Sequence, residues 1–136
     1  MATSLTPFRE RASTQKGSRP RIVLSLLEAN QAELIRIGLR RLGWVVLMAR
    51  SPSEVGQLLA TAPGSTAILG TEQDDESNWL TCAKVKLADS ASTVLLIGPD
   101  TPRNHRLANF VGATALLSDP VEVADWVPPY RTESRK

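Results

Sequence analysis

The densest collection of chemically capable side chains in this 136-residue chain is acidic: Glu72, Asp74, Asp75 and Glu76 fall almost consecutively, and Glu28 follows an apolar run. Converging carboxylate oxygens hold hard divalent cations, and a carboxylate beside such a cation can act as a phosphoryl acceptor. A run of Glu and Asp supplies neither the lysine nor the hydroxyl that such transfer needs, so a solvated loop is the expectation and no metal site is assigned. Other constellations fail on numbers. His105 is the only histidine, which leaves Ser25 and Ser118 without a base and excludes a His-rich metal centre. Cys82 is the only cysteine, which rules out an intramolecular disulfide; it is expected to be a buried, inert thiol. No Gly-x-Gly-x-x-Gly or phosphate-loop spacing occurs, and no cofactor is expected.

The elements that would position these residues are well marked. Arg21 to Leu27, Trp44 to Ala49, Thr66 to Leu69, Thr93 to Ile97 and Thr114 to Leu117 are short, continuously apolar and rich in branched residues, as strands covered on both faces should be. Between them stand helical patterns. Asn30 with Glu33, and Ser51 with Pro52 and Glu54, match helix-start signals. Leu34, Ile35, Ile37, Leu39 and Leu42 form the first apolar stripe, ended by Gly43. Val55, Leu58, Leu59 and Ala62 form the second, before Pro63. A third helix is expected from Ser77 to Ala88 with Trp79, Leu80, Ala83 and Leu87 inward. A fourth starts at Thr101 and Pro102, carries Leu107, Ala108, Phe110 and Val111, and stops at Gly112. This alternation predicts an α/β three-layer sandwich of flavodoxin-like type, a parallel five-stranded sheet in the order 2-1-3-4-5 with helices on both faces.

Residues 20 to 127 resemble the receiver domain of bacterial response regulators. Ile22 to Gly70 follow its spacing without a gap, with Leu42-Gly43-Trp44 where that family has Gly-aromatic before its second strand. Gly112-Ala113 and Asp119-Pro120 stand where it has Gly-Ala and Lys-Pro. The resemblance implies where phosphotransfer residues would stand, and each position has changed. The metal-binding acids fall on Leu26 and Leu27, the nucleophilic aspartate on Gly70, the hydroxyl on Gly98 and the lysine on Asp119. The aromatic switch position falls on Leu116. A degenerate, phosphorylation-independent receiver follows, with no enzymatic activity. Asp119, Pro120 and Glu122 instead match a helix cap, which favours a trans Asp-Pro bond. A cation site rebuilt from Glu28 with Glu72, Asp74, Asp75 and Glu76 is the minor alternative.

The last helix, Val121 to Val127, is cut short by Pro128-Pro129. The resemblance implies a partner or homodimer surface on the fourth helix, fifth strand and last helix, and Phe110, Leu116, Val123, Trp126 and Tyr130 are its candidates. The alternative is that the C-terminal residues fold back over this region. Two further readings are the sensory half of a DNA-binding regulator, and a small-ligand sensor at the carboxyl ends of the strands.

The net charge of +2 is unevenly placed. Residues 1–21 carry +4, residues 131–136 carry +2, and the stretch between them carries −4. The basic charge therefore belongs to the tails, residues 1–20 and 128–136, which are expected to be disordered, flanking a domain at 21–127. Nucleic-acid binding is not expected from such a distribution. No apolar run is long enough to cross a membrane or serve as a secretory signal, so a cytoplasmic protein is expected.

Overall fold

A computed structural model describes residues 21–25, 28–62, 64–71 and 76–130. The element order is β1 (Ile22–Ser25), α1 (Ala29–Arg41), β2 (Val46–Ala49), α2 (Pro52–Ala60), β3 (Thr66–Gly70), α3 (Glu76–Ala88), β4 (Thr93–Ile97), α4 (Pro102–Val111), β5 (Ala115–Leu117), a 3-10 turn (Pro120–Glu122) and α5 (Val123–Trp126). The five strands are all parallel and lie in the expected order β2-β1-β3-β4-β5.

Successive side chains on a strand point to opposite faces, so continuously apolar strands build two cores at once. Ile22, Leu24, Ile68, Leu95, Ile97 and Leu117 meet Ala32, Ile35 and Leu39 of α1 and Val123 of α5 on the first face. Val23, Ala67, Leu69, Val94 and Leu96 meet Val55 and Leu59 of α2, Cys82 and Val85 of α3, and Ala108 of α4 on the second.

Helix starts and stops explain where the layers turn. Ser51 caps α2 by accepting from the Glu54 amide, with Pro52 in the first turn, and Thr101 caps α4 by accepting from the Asn104 amide ahead of Pro102. Both α1 and α4 end on a glycine at positive φ, Gly43 at 92° and Gly112 at 82°. In each case the residue after the glycine donates back to a carbonyl of the last turn, Trp44 to Leu39 at 3.1 Å and Ala113 to Ala108 at 2.9 Å. This reverse turn suits glycine because a Cβ disfavours the left-handed backbone.

Several local expectations need correction. α1 starts at Ala29, two residues earlier than a cap at Asn30 would place it: Glu28 is extended and its carbonyl accepts from the Ala32 amide. Glu33 is thus freed from capping and pairs with Arg36. The sheet-facing row of α1 is Ala32, Ile35, Leu39 and Leu42, while Leu34 and Ile37 stand on the outside. Five apolar residues span a wider arc than the helix can press on the sheet, and alanine takes a place in the row. On α3 the buried row is Thr81, Cys82 and Val85; Trp79 packs at its margin, while Leu80 and Leu87 are exposed. Trp44 and Val45 precede β2 instead of opening it, because the α1 stop motif uses the Trp44 amide.

The short last helix is compensated by the chain that follows. Pro120–Glu122 form one 3-10 turn and Val123–Trp126 one α turn, after which residues 127–130 run back beside the end of α1. The Tyr130 amide donates to the Leu42 carbonyl at 2.8 Å, and Trp44 Nε1 donates to the Pro128 carbonyl at 2.7 Å. The rings of Trp44 and Tyr130 meet edge to face, 5.0 Å apart. Val127, the last residue of the expected domain, is buried in the first core.

Candidate functional site at the carboxyl ends of the strands

Parallel α/β sheets offer ligands a crevice beyond the carboxyl ends of their strands, where helix N-termini and loops converge. Here that edge is formed by Ser25, Gly70, Thr71 and Gly98, followed by Ser118 and Asp119. Leu26 and Leu27, the expected successors of metal-binding acids, lie outside the described residues, as do Glu72, Asp74 and Asp75 of the alternative cation site.

β3 and β4 reach this edge together, with Gly70 in register with Ile97. One residue on, the Thr71 amide donates to the Ile97 carbonyl at 2.8 Å and its hydroxyl donates to the same oxygen at 3.2 Å. That bonding lays the Thr71 side chain over Gly98. A Cβ added at Gly98 would overlap Thr71 Oγ1 and come within 3.0 Å of Thr71 Cβ. Gly98 is meanwhile fixed from the other side, its amide donating to the Leu117 carbonyl at 2.9 Å. A side chain at position 98 would have to displace that of Thr71, whose hydroxyl is bonded to the Ile97 carbonyl.

Asp119 is equally committed. Its Oδ1 accepts from the Val121 amide at 3.0 Å, and Glu122 Oε1 accepts from the Asp119 amide at 3.3 Å, a reciprocal capping box. The Asp119–Pro120 bond is trans, as the capping pattern favours.

Ser25 adds a different signal. It ends β1, is 1% exposed, and its hydroxyl has no hydrogen-bond partner among the described residues. Cys82 is also buried, in the second core, and desolvation pushes its thiol up to about 11, with Lys86 pulling weakly the other way. At neutral pH it is a protonated, unreactive group.

The five candidate surface residues do not form one patch. Phe110 is 86% exposed on α4 and Trp126 is half exposed on α5, with Val121 also outward. Leu116 packs against the second core. Val123, expected on the surface, is 2% exposed in the first core, because the single turn of α5 must drive one side chain into the sheet. Tyr130 lies against Trp44 at the end of α1. Sequence reasoning also missed Thr71; its only signal was two glycines, Gly70 and Gly98, at the ends of neighbouring strands.

No protein-family profile matches the sequence, and no curated protein matches it significantly. Solved structures do resemble the fold. The chemotaxis protein CheY4 of Vibrio cholerae superposes with a TM-score of 0.67 at 14% identity, over 79% of this chain and 95% of that one. A CheY-like response regulator receiver domain protein of Methanospirillum hungatei gives 0.56 at 14%, over 79% and 90%. An adenylate cyclase of Rhodopirellula baltica gives 0.58 at 13%, over 73% and 75%. The fold is that of a receiver domain. No helix among the described residues is long and apolar enough to cross a membrane.

Proposed function

We propose that this chain is a phosphorylation-independent pseudo-receiver, a regulatory module that acts through protein contacts and carries out no phosphotransfer. The observation that supports it most is the closed volume at Gly98. The family resemblance places a phosphate-binding hydroxyl side chain there, and the Thr71 side chain occupies that space. Asp119, at the position of the lysine, caps the following turn. Repulsion between its carboxylate and an anionic donor would oppose transfer, since a like charge raises the cost of bringing a second anion close.

The partner surface is assigned to α4, β5 and α5, with Phe110 and Trp126 as its apolar contacts, and a second copy or another cytoplasmic signalling protein as its occupant. Among the described residues β5 is an edge strand, paired to β4 alone. Large aromatic side chains left in water beside such an edge are typical contact anchors.

The test is chemical. The protein is incubated with Mg²⁺ and acetyl phosphate and its intact mass is measured, alongside an active receiver as the positive control. The proposal expects no phosphoryl adduct on this chain. A hydroxylamine-labile adduct would mean that an aspartyl phosphate forms, and would overturn the reading.

A further inference from the structure

Away from the carboxyl edge, α2 and α3 run side by side on the second face of the sheet and leave a trough of about 920 Å³ between them. Helices packed together normally close their shared groove with interlocking side chains. Here the facing positions are small: Gly56 and Ala60 on α2, Ala88 on α3. A Cβ built on Gly56 meets no atom within 4 Å, so the space beside it is open. Leu59 and Val85 are buried beneath, and Leu80 forms an apolar wall that is 53% exposed. The volume falls in the range of small-molecule sites, roughly 300–1,000 Å³, and the mixture of apolar walls with few polar groups is also theirs.

Two charged residues line the trough, Lys84 and Asp89, and they differ in how far they are engaged. Lys86 is spent, its Nζ donating to the carbonyls of Ser90 and Ser92 at 3.0 and 2.6 Å. Asp89, the acid on the trough lining, accepts from the Ala91 amide at 3.0 Å. Lys84 also lines the trough and makes no hydrogen bond or ion pair among the described residues. An apolar trough with one uncommitted ammonium complements a ligand with an apolar body and a single negative charge.

We propose that the trough between α2 and α3 binds a small, largely apolar monoanion, an aryl or branched alkyl carboxylate. Its body lies beside Gly56 and over Val85, and its carboxylate pairs with Lys84. This inference is independent of the pseudo-receiver reading, because it uses none of the residues at the carboxyl edge.

Biphenyl-4-carboxylate and its neutral counterpart 4-biphenylmethanol are titrated into the ¹⁵N-labelled full chain and amide shifts are followed. The carboxylate is expected to give saturable shifts at Gly56, Leu80, Val85 and Ala88, with affinity at least about tenfold above the alcohol, as one charge-assisted contact would give. Lys84→Gln is expected to bring the two probes within about twofold of each other, since the alcohol loses no charge contact. Gly56→Leu adds side-chain volume to the trough at a position open to it, and should abolish binding of both while the remaining spectrum keeps its dispersion. The proposal is overturned by absence of saturable shifts, by equal affinity for both probes, or by binding that survives Gly56→Leu. Shifts at these amides that depend on protein concentration alone would place a second copy in the trough and also overturn it.

Discussion

The two edges of the sheet are finished by different means. At the amino edge, residues far apart in sequence are tied together: the Arg21 amide donates to Ser65 Oγ, the Val94 amide to Thr114 Oγ1, Trp44 to the Pro128 carbonyl and Tyr130 to the Leu42 carbonyl. The last two hold residues 128–130 against the end of α1, beyond the short last helix. At the carboxyl edge fewer polar groups are tied, Thr71 to the Ile97 carbonyl beside Gly98 and Asp119 with Glu122, while the Ser25 hydroxyl has no partner among the described residues. On the proposed reading, the Thr71 side chain beside Gly98 and the Asp119 cap take up the edge where ligands of this fold bind. The amino edge carries four such long-range ties, so strand packing there does not depend on what the carboxyl edge binds.

Mutations at the two edges should separate these roles. Trp44→Ala at the amino edge removes a half-buried indole, its edge-to-face contact with Tyr130 and its bond to Pro128. Urea unfolding should show a loss of about 3 kcal/mol, the low end for aromatic truncation. A loss near zero would mean that the returning C-terminal segment contributes nothing to stability. At the carboxyl edge, Gly98→Thr should cost about 2 kcal/mol by overpacking against Thr71. Combining it with Thr71→Gly should recover much of that cost, whereas additive losses would show that the two positions do not share one volume.

Smaller effects sharpen the same contrast. Asp119→Ala should cost about 1 kcal/mol by removing a cap, measured as a lower urea midpoint. A carboxylate held for binding instead of capping would leave the midpoint unchanged. Ser25→Ala should raise stability by up to about 1 kcal/mol, because an unsatisfied buried hydroxyl is removed with little change of volume. A loss there would reveal a bond that the hydroxyl makes.

Much of this was legible in the sequence. The strands and helix ends were readable from five continuously apolar runs and from the stops at Gly43 and Gly112, and the strand order from the usual order of the fold class that the alternation implies. The capping role of Asp119 was readable because Asp-Pro-x-Glu is a local signal, complete within four positions. What escaped was relational. Thr71 and Gly98 are 27 positions apart, and only the register of β3 on β4 brings them together. The inward face of α3 was misassigned because its apolar residues surround the helix, so periodicity selects no side. The trough beside it is made by small side chains, which periodicity scores as weak or neutral.

The most direct test is a two-dimensional amide spectrum of the labelled protein with and without Mg²⁺ and beryllofluoride, a mimic of the aspartyl phosphate. A closed carboxyl edge predicts no saturable shift at Gly70, Thr71, Gly98 or Asp119. Saturable shifts at those amides would show that a phosphoryl site still assembles there, and would contradict the claim that the receiver fold has survived without its chemistry.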